Sequence, residues 1–221
     1  MKIAAIIAAA GSSSRFKNGQ KLLFDVNGKT VIETTIEKFN SHSMIDEIVI
    51  CTSENIIEEI KEIVKKYPKV KKVILGGTQR QDSVLNGLKS LVNPDFVAIH
   101  DGARPLISAQ TIEDTLKKAI EFGHATCAVQ VKDTIKKVLD EKIIDTPNRQ
   151  ELWQVQTPQV FAYKEILDAH LKFKGQNFTD DTLLIEQTGK SVYIVKGCYE
   201  NLKITTPEDI EIARILDKNK Q

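Results

Sequence analysis

Short runs of apolar, often β-branched residues alternate along this chain with longer stretches in which apolar positions return every three or four residues. The first pattern reads as buried strand and the second as amphipathic helix packed by one face. It predicts strands at Ile3–Ala9, Glu47–Thr52, Val70–Leu75, Phe96–His100, Ala125–Val131 and Ser191–Lys196. It predicts helices at Val31–Phe39, where Ile32, Ile36 and Phe39 share a face, and at Glu54–Tyr67, where Ile57, Ile60, Ile63 and Val64 do. Further helices are predicted at Asp82–Leu91, Thr111–Phe122, Tyr163–Lys172, Asp180–Gln187 and Pro207–Leu216, and residues 11–27 read as a loop. Ser108 and Thr206 stand as N-caps, and Pro207 takes the first helical position, where its missing N–H costs nothing. Strands alternating with helices of this length imply βαβ units, a mostly parallel sheet and helices on both of its faces.

The alternation fails between Lys132 and Thr146. There Thr134-Ile135-Lys136-Lys137-Val138 and Lys142-Ile143-Ile144 flank Leu139-Asp140-Glu141, the outline of a two-stranded hairpin. A lone hairpin is marginal in water, so this arm is expected to pack on another surface, such as a second subunit. With no internal repeat and no low-complexity linker, the chain reads as one α/β domain over residues 1–221 with an arm inserted at about 132–150.

Composition narrows the class. The 221 residues carry 31 Lys plus Arg against 30 Asp plus Glu, a net charge of +1. That balance excludes a strongly basic nucleic-acid binder and an acidic disordered tail, though not a local basic pocket. Aromatic residues make up only 6%, too few for a base-stacking platform. Cys51, Cys127 and Cys198 are far apart with no C-x-x-C, which points away from a disulfide framework or zinc site and toward a reducing cytoplasm. No run reaches the roughly 18 apolar residues of a membrane span. Met1-Lys2 followed by Ile3–Ala10 has the outline of a short secretion signal. The run is at the short limit, however, and the residues after it suit a ligand loop better.

In open parallel sheets, ligands bind beyond the carboxyl ends of the strands, and four polar blocks are placed there. The first is Ala8-Ala9-Ala10-Gly11-Ser12-Ser13-Ser14-Arg15, followed by Lys21. Small residues let a backbone approach a ligand, consecutive N–H groups form an anion nest, and Arg15 and Lys21 could neutralise a polyphosphate. No G-K-[ST] and no G-x-G-x-x-G is present, so the plain alternative is an ordinary turn with two solvated cations. The second block, Gly76-Gly77-Thr78-Gln79-Arg80-Gln81-Asp82-Ser83, reads as a second ligand-facing loop or as a tight turn only. The third is His100-Asp101-Gly102-Ala103-Arg104-Pro105. Asp101 could hold a divalent cation or a ligand hydroxyl, or simply pair with Arg104; His100 reads as structural. The fourth places Lys203 within Asn201-Leu202-Lys203-Ile204-Thr205-Thr206-Pro207-Glu208-Asp209, just ahead of the last helix. Histidines 42, 100, 124 and 170 are scattered and G-x-S-x-G is absent, which disfavours triad hydrolysis.

In order, the blocks A-A-G-x-x-x-R, a following Lys, G-G-x-x-R-x-x-S, H-D-x-A-R-P, D-T, T-P-Q, T-D and N-x-K-x-T-x-P-E-D resemble those of 2-C-methyl-D-erythritol 4-phosphate cytidylyltransferases of the non-mevalonate isoprenoid pathway, over about Ile3 to Ala213. His100-Asp101-Gly102-Ala103-Arg104-Pro105 and Asn201–Asp209 are the most specific of them. The resemblance implies a Rossmann-like nucleotidyltransferase sheet with an extended β-hairpin arm. It also implies transfer of the cytidylyl group of CTP to 2-C-methyl-D-erythritol 4-phosphate, with Mg2+ or another divalent cation, releasing pyrophosphate. Carried over by position, Ala8, Ala9, Ala10, Gly11, Gly77 and Ser83 would hold CTP, and Arg15 and Lys21 would stabilise the transition state. Asp101 would lie near CTP and the substrate hydroxyls, as the candidate carboxylate for a metal carried by the CTP phosphates, with Arg104 in the same block. Thr134, Arg149 and Thr157, from the arm region, would reach the methylerythritol phosphate across a homodimer. Arg149 and Lys203 would position the attacking phosphate.

Two departures from the family pattern stand out. Ser12-Ser13-Ser14 replaces a usual second glycine, and Gly19-Gln20-Lys21 stands where P-K-Q is common, so Lys17 is the second candidate for the loop lysine. A ribitol 5-phosphate cytidylyltransferase would share the CTP loops but carry A-G-G and H-D-A-V-R-P. The arm motifs and T-P-Q disfavour a sugar-1-phosphate nucleotidyltransferase. A nucleotide-binding regulator without turnover would have no need of Arg15, Lys21, Asp101 and Lys203 together.

Overall fold

The computed structural model describes residues 1–11, 16 and 20–218. The strands are β1 (Ile3–Ala9), β2 (Asp25–Val26), β3 (Lys29–Thr30), β4 (Glu47–Thr52), β5 (Val70–Leu75), β6 (Phe96–Asp101), β7 (His124–Gln130), β8 (Lys137–Leu139), β9 (Lys142–Asp145), β10 (Trp153–Ala162) and β11 (Tyr193–Lys196). The helices are α1 (Val31–Asn40), α2 (Ile57–Val64), α3 (Arg80–Ser90), α4 (Ala109–Phe122), α5 (Tyr163–Lys172), α6 (Asp181–Glu186) and α7 (Pro207–Lys218).

Seven strands form one sheet in the order β11-β7-β10-β6-β1-β4-β5. The pairs β1–β4, β1–β6, β4–β5 and β7–β11 are parallel, while β10 runs antiparallel to both β6 and β7. The period-2 geometry of a strand sends alternate residues of β1 to opposite faces. Ile3, Ala5 and Ile7 pack with Ile32, Ile36 and Phe39 of α1, Leu116 of α4 and Ile210 of α7. Ala4 and Ile6 pack with Val84 and Leu88 of α3, Ile166 of α5 and Leu184 of α6. Both faces are therefore covered, which is why β1 is apolar throughout.

Most of the expected elements form. Thr30 caps α1 by accepting the Glu33 N–H at 3.2 Å, and Ser108 caps α4 by accepting that of Thr111 at 3.1 Å. At α7 the carboxylate of Asp209 accepts the N–H groups of Thr205 and Thr206 at 2.7 and 2.8 Å. The sequence reading missed β10, the longest strand, and the short β2–β3 pair inside what read as loop. Pro158 interrupts β10, and a proline inside a run argues against a central strand. Here β10 shifts register between Val155 and Gln159, which lets a proline sit within a central strand.

The expected hairpin is β8–β9, a separate two-stranded sheet. Its two-residue turn, Asp140-Glu141, has φ of 47° and 63°, the mirror-image turn that matches strand twist. Val138, Leu139, Ile143 and Ile144 on it are exposed. Among the described residues, no helix is long and apolar enough to cross a membrane.

Candidate active site

The parallel strands β1, β4 and β6 end at one edge of the sheet, and the backbone there closes around a cleft of about 350 Å³. Ala8, Ala9, Ala10 and Gly11 form one wall, residues 77–80 and Ser83 another, and Lys21, Asp101 and Lys203 bring charge to the lining. The second wall is held close. Ser83 Oγ accepts the Gly77 N–H at 2.9 Å and donates to the Gln79 carbonyl at 3.0 Å. The Gly76 N–H reaches the Thr52 carbonyl at the end of β4 at 2.8 Å. A Cβ at Gly76 would lie 2.6 Å from Ser83 Oγ, so only glycine permits this approach. Asp82 fixes the start of α3 by accepting the Gln79 N–H at 3.2 Å.

Asp101, the last residue of β6, forms the electrostatic floor. It is buried, and its Oδ1 faces Arg80 Nε at 3.2 Å while its Oδ2 faces Lys203 Nζ at 2.8 Å and Arg104 Nε at 3.6 Å. Burial alone would raise its pKa, but Arg80, Lys203 and Arg104 outweigh that and hold the carboxyl well below the usual range. The local pair with Arg104 therefore exists, but it is the longest of three. Arg80 bridges onward to Asp181, whose Oδ2 it meets at 2.6 Å through Nη1. Its desolvation cost is overcome by Asp181 and then Asp101, which raise its pKa above the ordinary value.

The T-P-Q block secures this floor from behind. Thr157 Oγ1 accepts the Asp101 N–H at 3.1 Å and lies 3.0 Å from His100 Nδ1. His100 Nε2 is 3.1 Å from the Arg104 carbonyl, an acceptor only. That contact assigns the proton to Nε2 and makes Nδ1 the acceptor of the Thr157 hydroxyl. Burial lowers the His100 pKa to about 4, consistent with a neutral ring. Two residues on, Gln159 Oε1 accepts the Asp181 N–H at 3.1 Å. One strand thus fixes both acidic residues.

The segment after β11 places the lysines. Buried Asn201 donates to Gln156 Oε1 at 3.1 Å and to the Thr157 carbonyl at 3.0 Å, and its own carbonyl takes Arg104 Nη1 at 2.7 Å. Lys203 follows, with its side chain 40% exposed at the cleft. Lys21 arrives on a single 3-10 turn and donates to the Ile204 carbonyl at 3.1 Å.

The structure brings Ala8, Ala9, Ala10, Gly11, Lys21, Gly77, Ser83, Asp101 and Lys203 together at one cleft. Arg104 and Thr157 lie behind Asp101, with Thr157 in the core on β10. Thr134 and Arg149 are exposed at the arm, away from this chain's cleft lining, and Arg149 Nη1 donates to the Lys132 carbonyl at 2.7 Å. Arg15 and Lys17 lie outside the described residues. Sequence reasoning gave no role to Arg80, Asp181, Gln159 or Asn201, although the blocks G-G-x-x-R, T-D, T-P-Q and N-x-K contain or adjoin them.

The family model described as 2-C-methyl-D-erythritol 4-phosphate cytidylyltransferase matches residues 3–218. Curated relatives of that name include one from Clostridium botulinum, 46% identical over 225 residues and 98% of each chain. Another, from Clostridium acetobutylicum, is 46% identical over 97% of this chain and 96% of its own. Among solved structures, the 4-diphosphocytidyl-2C-methyl-D-erythritol synthase of Anaerococcus prevotii superposes with a TM-score of 0.89 at 33% identity, covering 98% of this chain and 96% of that one. The 2-C-methyl-D-erythritol 4-phosphate cytidylyltransferase of Thermus thermophilus gives 0.83 at 28% identity, covering 99% and 100%.

Proposed function

The chain belongs to the 2-C-methyl-D-erythritol 4-phosphate cytidylyltransferase family, and from that premise we propose how its residues carry out the reaction. The protein is a nucleotidyltransferase that moves the cytidylyl group of CTP onto 2-C-methyl-D-erythritol 4-phosphate, giving 4-diphosphocytidyl-2-C-methyl-D-erythritol and pyrophosphate. The observation that supports a working site is the cation-ringed Asp101 on the floor of a cleft walled by Ala8–Gly11 and Gly77–Ser83.

A phosphate oxygen of the acceptor attacks the α-phosphorus of CTP; that P–O bond forms as the bond to the β-phosphate oxygen breaks. Two anions must meet, and no covalent nucleophile is required. Catalysis is positioning plus charge neutralisation. Lys21 and Arg15 take the role of stabilising the crowded α-phosphorus and the departing pyrophosphate. Lys203, tethered to Asp101 at 2.8 Å, is aimed at the incoming phosphate. Arg104 and Thr157 support Asp101 from behind the cleft. The backbone of Ala8–Gly11 and of Gly77, held by Ser83, receives the nucleotide.

A divalent cation fits this site as a passenger on the nucleotide. Hard cations such as Mg2+ take oxygen ligands, and Asp101 is the carboxylate of the cleft lining that would meet such an ion, in exchange for one of its contacts with Arg80 or Lys203. Bound there, the ion would offset phosphate charge. The arm, residues 132–150, completes a neighbouring subunit's site: Thr134 and Arg149 reach the methylerythritol phosphate there, Arg149 as a planar fork on the phosphate, and the exposed apolar residues of β8–β9 are covered in a homodimer.

The test is pyrophosphate release by the purified protein from CTP and Mg2+, with and without 2-C-methyl-D-erythritol 4-phosphate. Release that depends on the acceptor is expected. Folded protein that binds CTP but releases nothing would overturn the assignment in favour of a regulator.

A further inference from the structure

Four polar contacts run in a line from the core to the cleft. His170 Nε2 meets Asp181 Oδ1 at 3.0 Å, Asp181 Oδ2 meets Arg80 Nη1 at 2.6 Å, Arg80 Nε meets Asp101 Oδ1 at 3.2 Å, and Asp101 Oδ2 meets Lys203 Nζ at 2.8 Å. Asp181 is 1% exposed. A carboxylate buried that deeply is costly unless it is fully paired. It does not cap α6, because Asp180 does so by accepting the Leu183 N–H at 3.1 Å. Its side chain faces His170 on one oxygen and Arg80 on the other, and Gln159 fixes its backbone. A buried charge of this kind, reaching toward the cleft instead of serving its own helix, calls for a role at the site.

We propose that Arg80 and Asp181 form one positioning unit for Asp101, an inference that rests on the function proposed above. A guanidinium facing a single carboxylate tends to take both oxygens in a fork. Asp181 draws the guanidinium to one side through Nη1, and the nitrogen that bonds Asp101 is Nε, on Oδ1, which leaves Oδ2 to Lys203. The division of the two oxygens sets where the lysine sits that meets the attacking phosphate. Arg80 and Asp181 are therefore positioning residues, and misplacement of a catalytic group by about 1 Å can cost on the order of a hundredfold.

The experiment uses the intact enzyme in steady-state turnover. Arg80→Lys keeps the charge but replaces the two separate nitrogens, Nε and Nη1, that meet Asp101 and Asp181 with a single one. Asp181→Asn keeps the shape but presents one acceptor to two donors. Each is expected to lower kcat roughly 10- to 100-fold with less than threefold change in the KM for CTP. The double variant should fall no further than the worse single, because both remove the same unit. A crystal structure of Asp181→Asn should show Arg80 on both Asp101 oxygens and Lys203 displaced. Folded Arg80→Lys with kcat within threefold of wild type, multiplicative losses in the double variant, or an unmoved Lys203–Asp101 pair each overturn the proposal. Should Asp181→Asn fail to fold, Arg80→Lys, on the half-buried cleft wall, decides alone. A silent wild type in the same assay counts against the function itself, and the crystal structure then still tests the positioning unit.

Discussion

Lys21 and Lys203 converge on the cleft from opposite ends of the chain, one donating to the Ile204 carbonyl and the other to Asp101. Lys21→Ala is expected to cost on the order of a hundredfold in kcat, the scale of one preorganised electrostatic group. Steady-state kinetics check this, and a loss below threefold removes Lys21 from the machinery. Lys21, Asp101 and Lys203 were legible in the sequence because each sits in a polar block at a strand end or helix start. Arg80 was visible only as a letter in its block. Its partner Asp181 lies 101 residues away, and nothing local says that a helix-start aspartate will be buried against it. Arg104 shows the converse. It reads as the natural mate of Asp101 three residues on, yet its shortest bond goes to the Asn201 carbonyl at 2.7 Å.

At the scale of elements, the helices followed from an apolar stripe and the central parallel strands from short continuous apolar runs, because the sheet is covered on both faces. β10 did not, because its central part, Gln154-Val155-Gln156-Thr157-Pro158-Gln159, is polar and broken by proline. Of these, Gln156, Thr157 and Gln159 are buried and turned inward to hold other elements, the reverse of what alternation expects. Thr157→Val tests their worth. It leaves the buried Asp101 N–H and His100 Nδ1 without partners, so urea unfolding should show a loss of about 3 kcal/mol, from two groups at roughly 1–3 kcal/mol each. Thr157→Ser, which keeps the hydroxyl, should stay within about 1 kcal/mol of wild type. Equal stability of the two variants would deny the strand this role.

At the scale of the whole molecule, the sheet supplies the cleft while Thr134 and Arg149 stand on an arm outside it. The sequence showed the arm as a break in the alternating pattern, but a single chain cannot show what covers it. Four exposed apolar side chains, Val138, Leu139, Ile143 and Ile144, give it a surface suited to a second copy. Sedimentation should find wild type as a dimer, and Ile143→Asp should shift it toward monomer with loss of turnover but not of CTP binding. A monomeric wild type with full activity would refute the shared site. The most direct test of the central assignment is a competition in one vessel: CTP, Mg2+ and wild-type enzyme, with 2-C-methyl-D-erythritol 4-phosphate and ribitol 5-phosphate at equal concentration, and the products resolved by mass. The cytidylylated methylerythritol product alone is expected; cytidylylated ribitol as the main product would contradict the assignment.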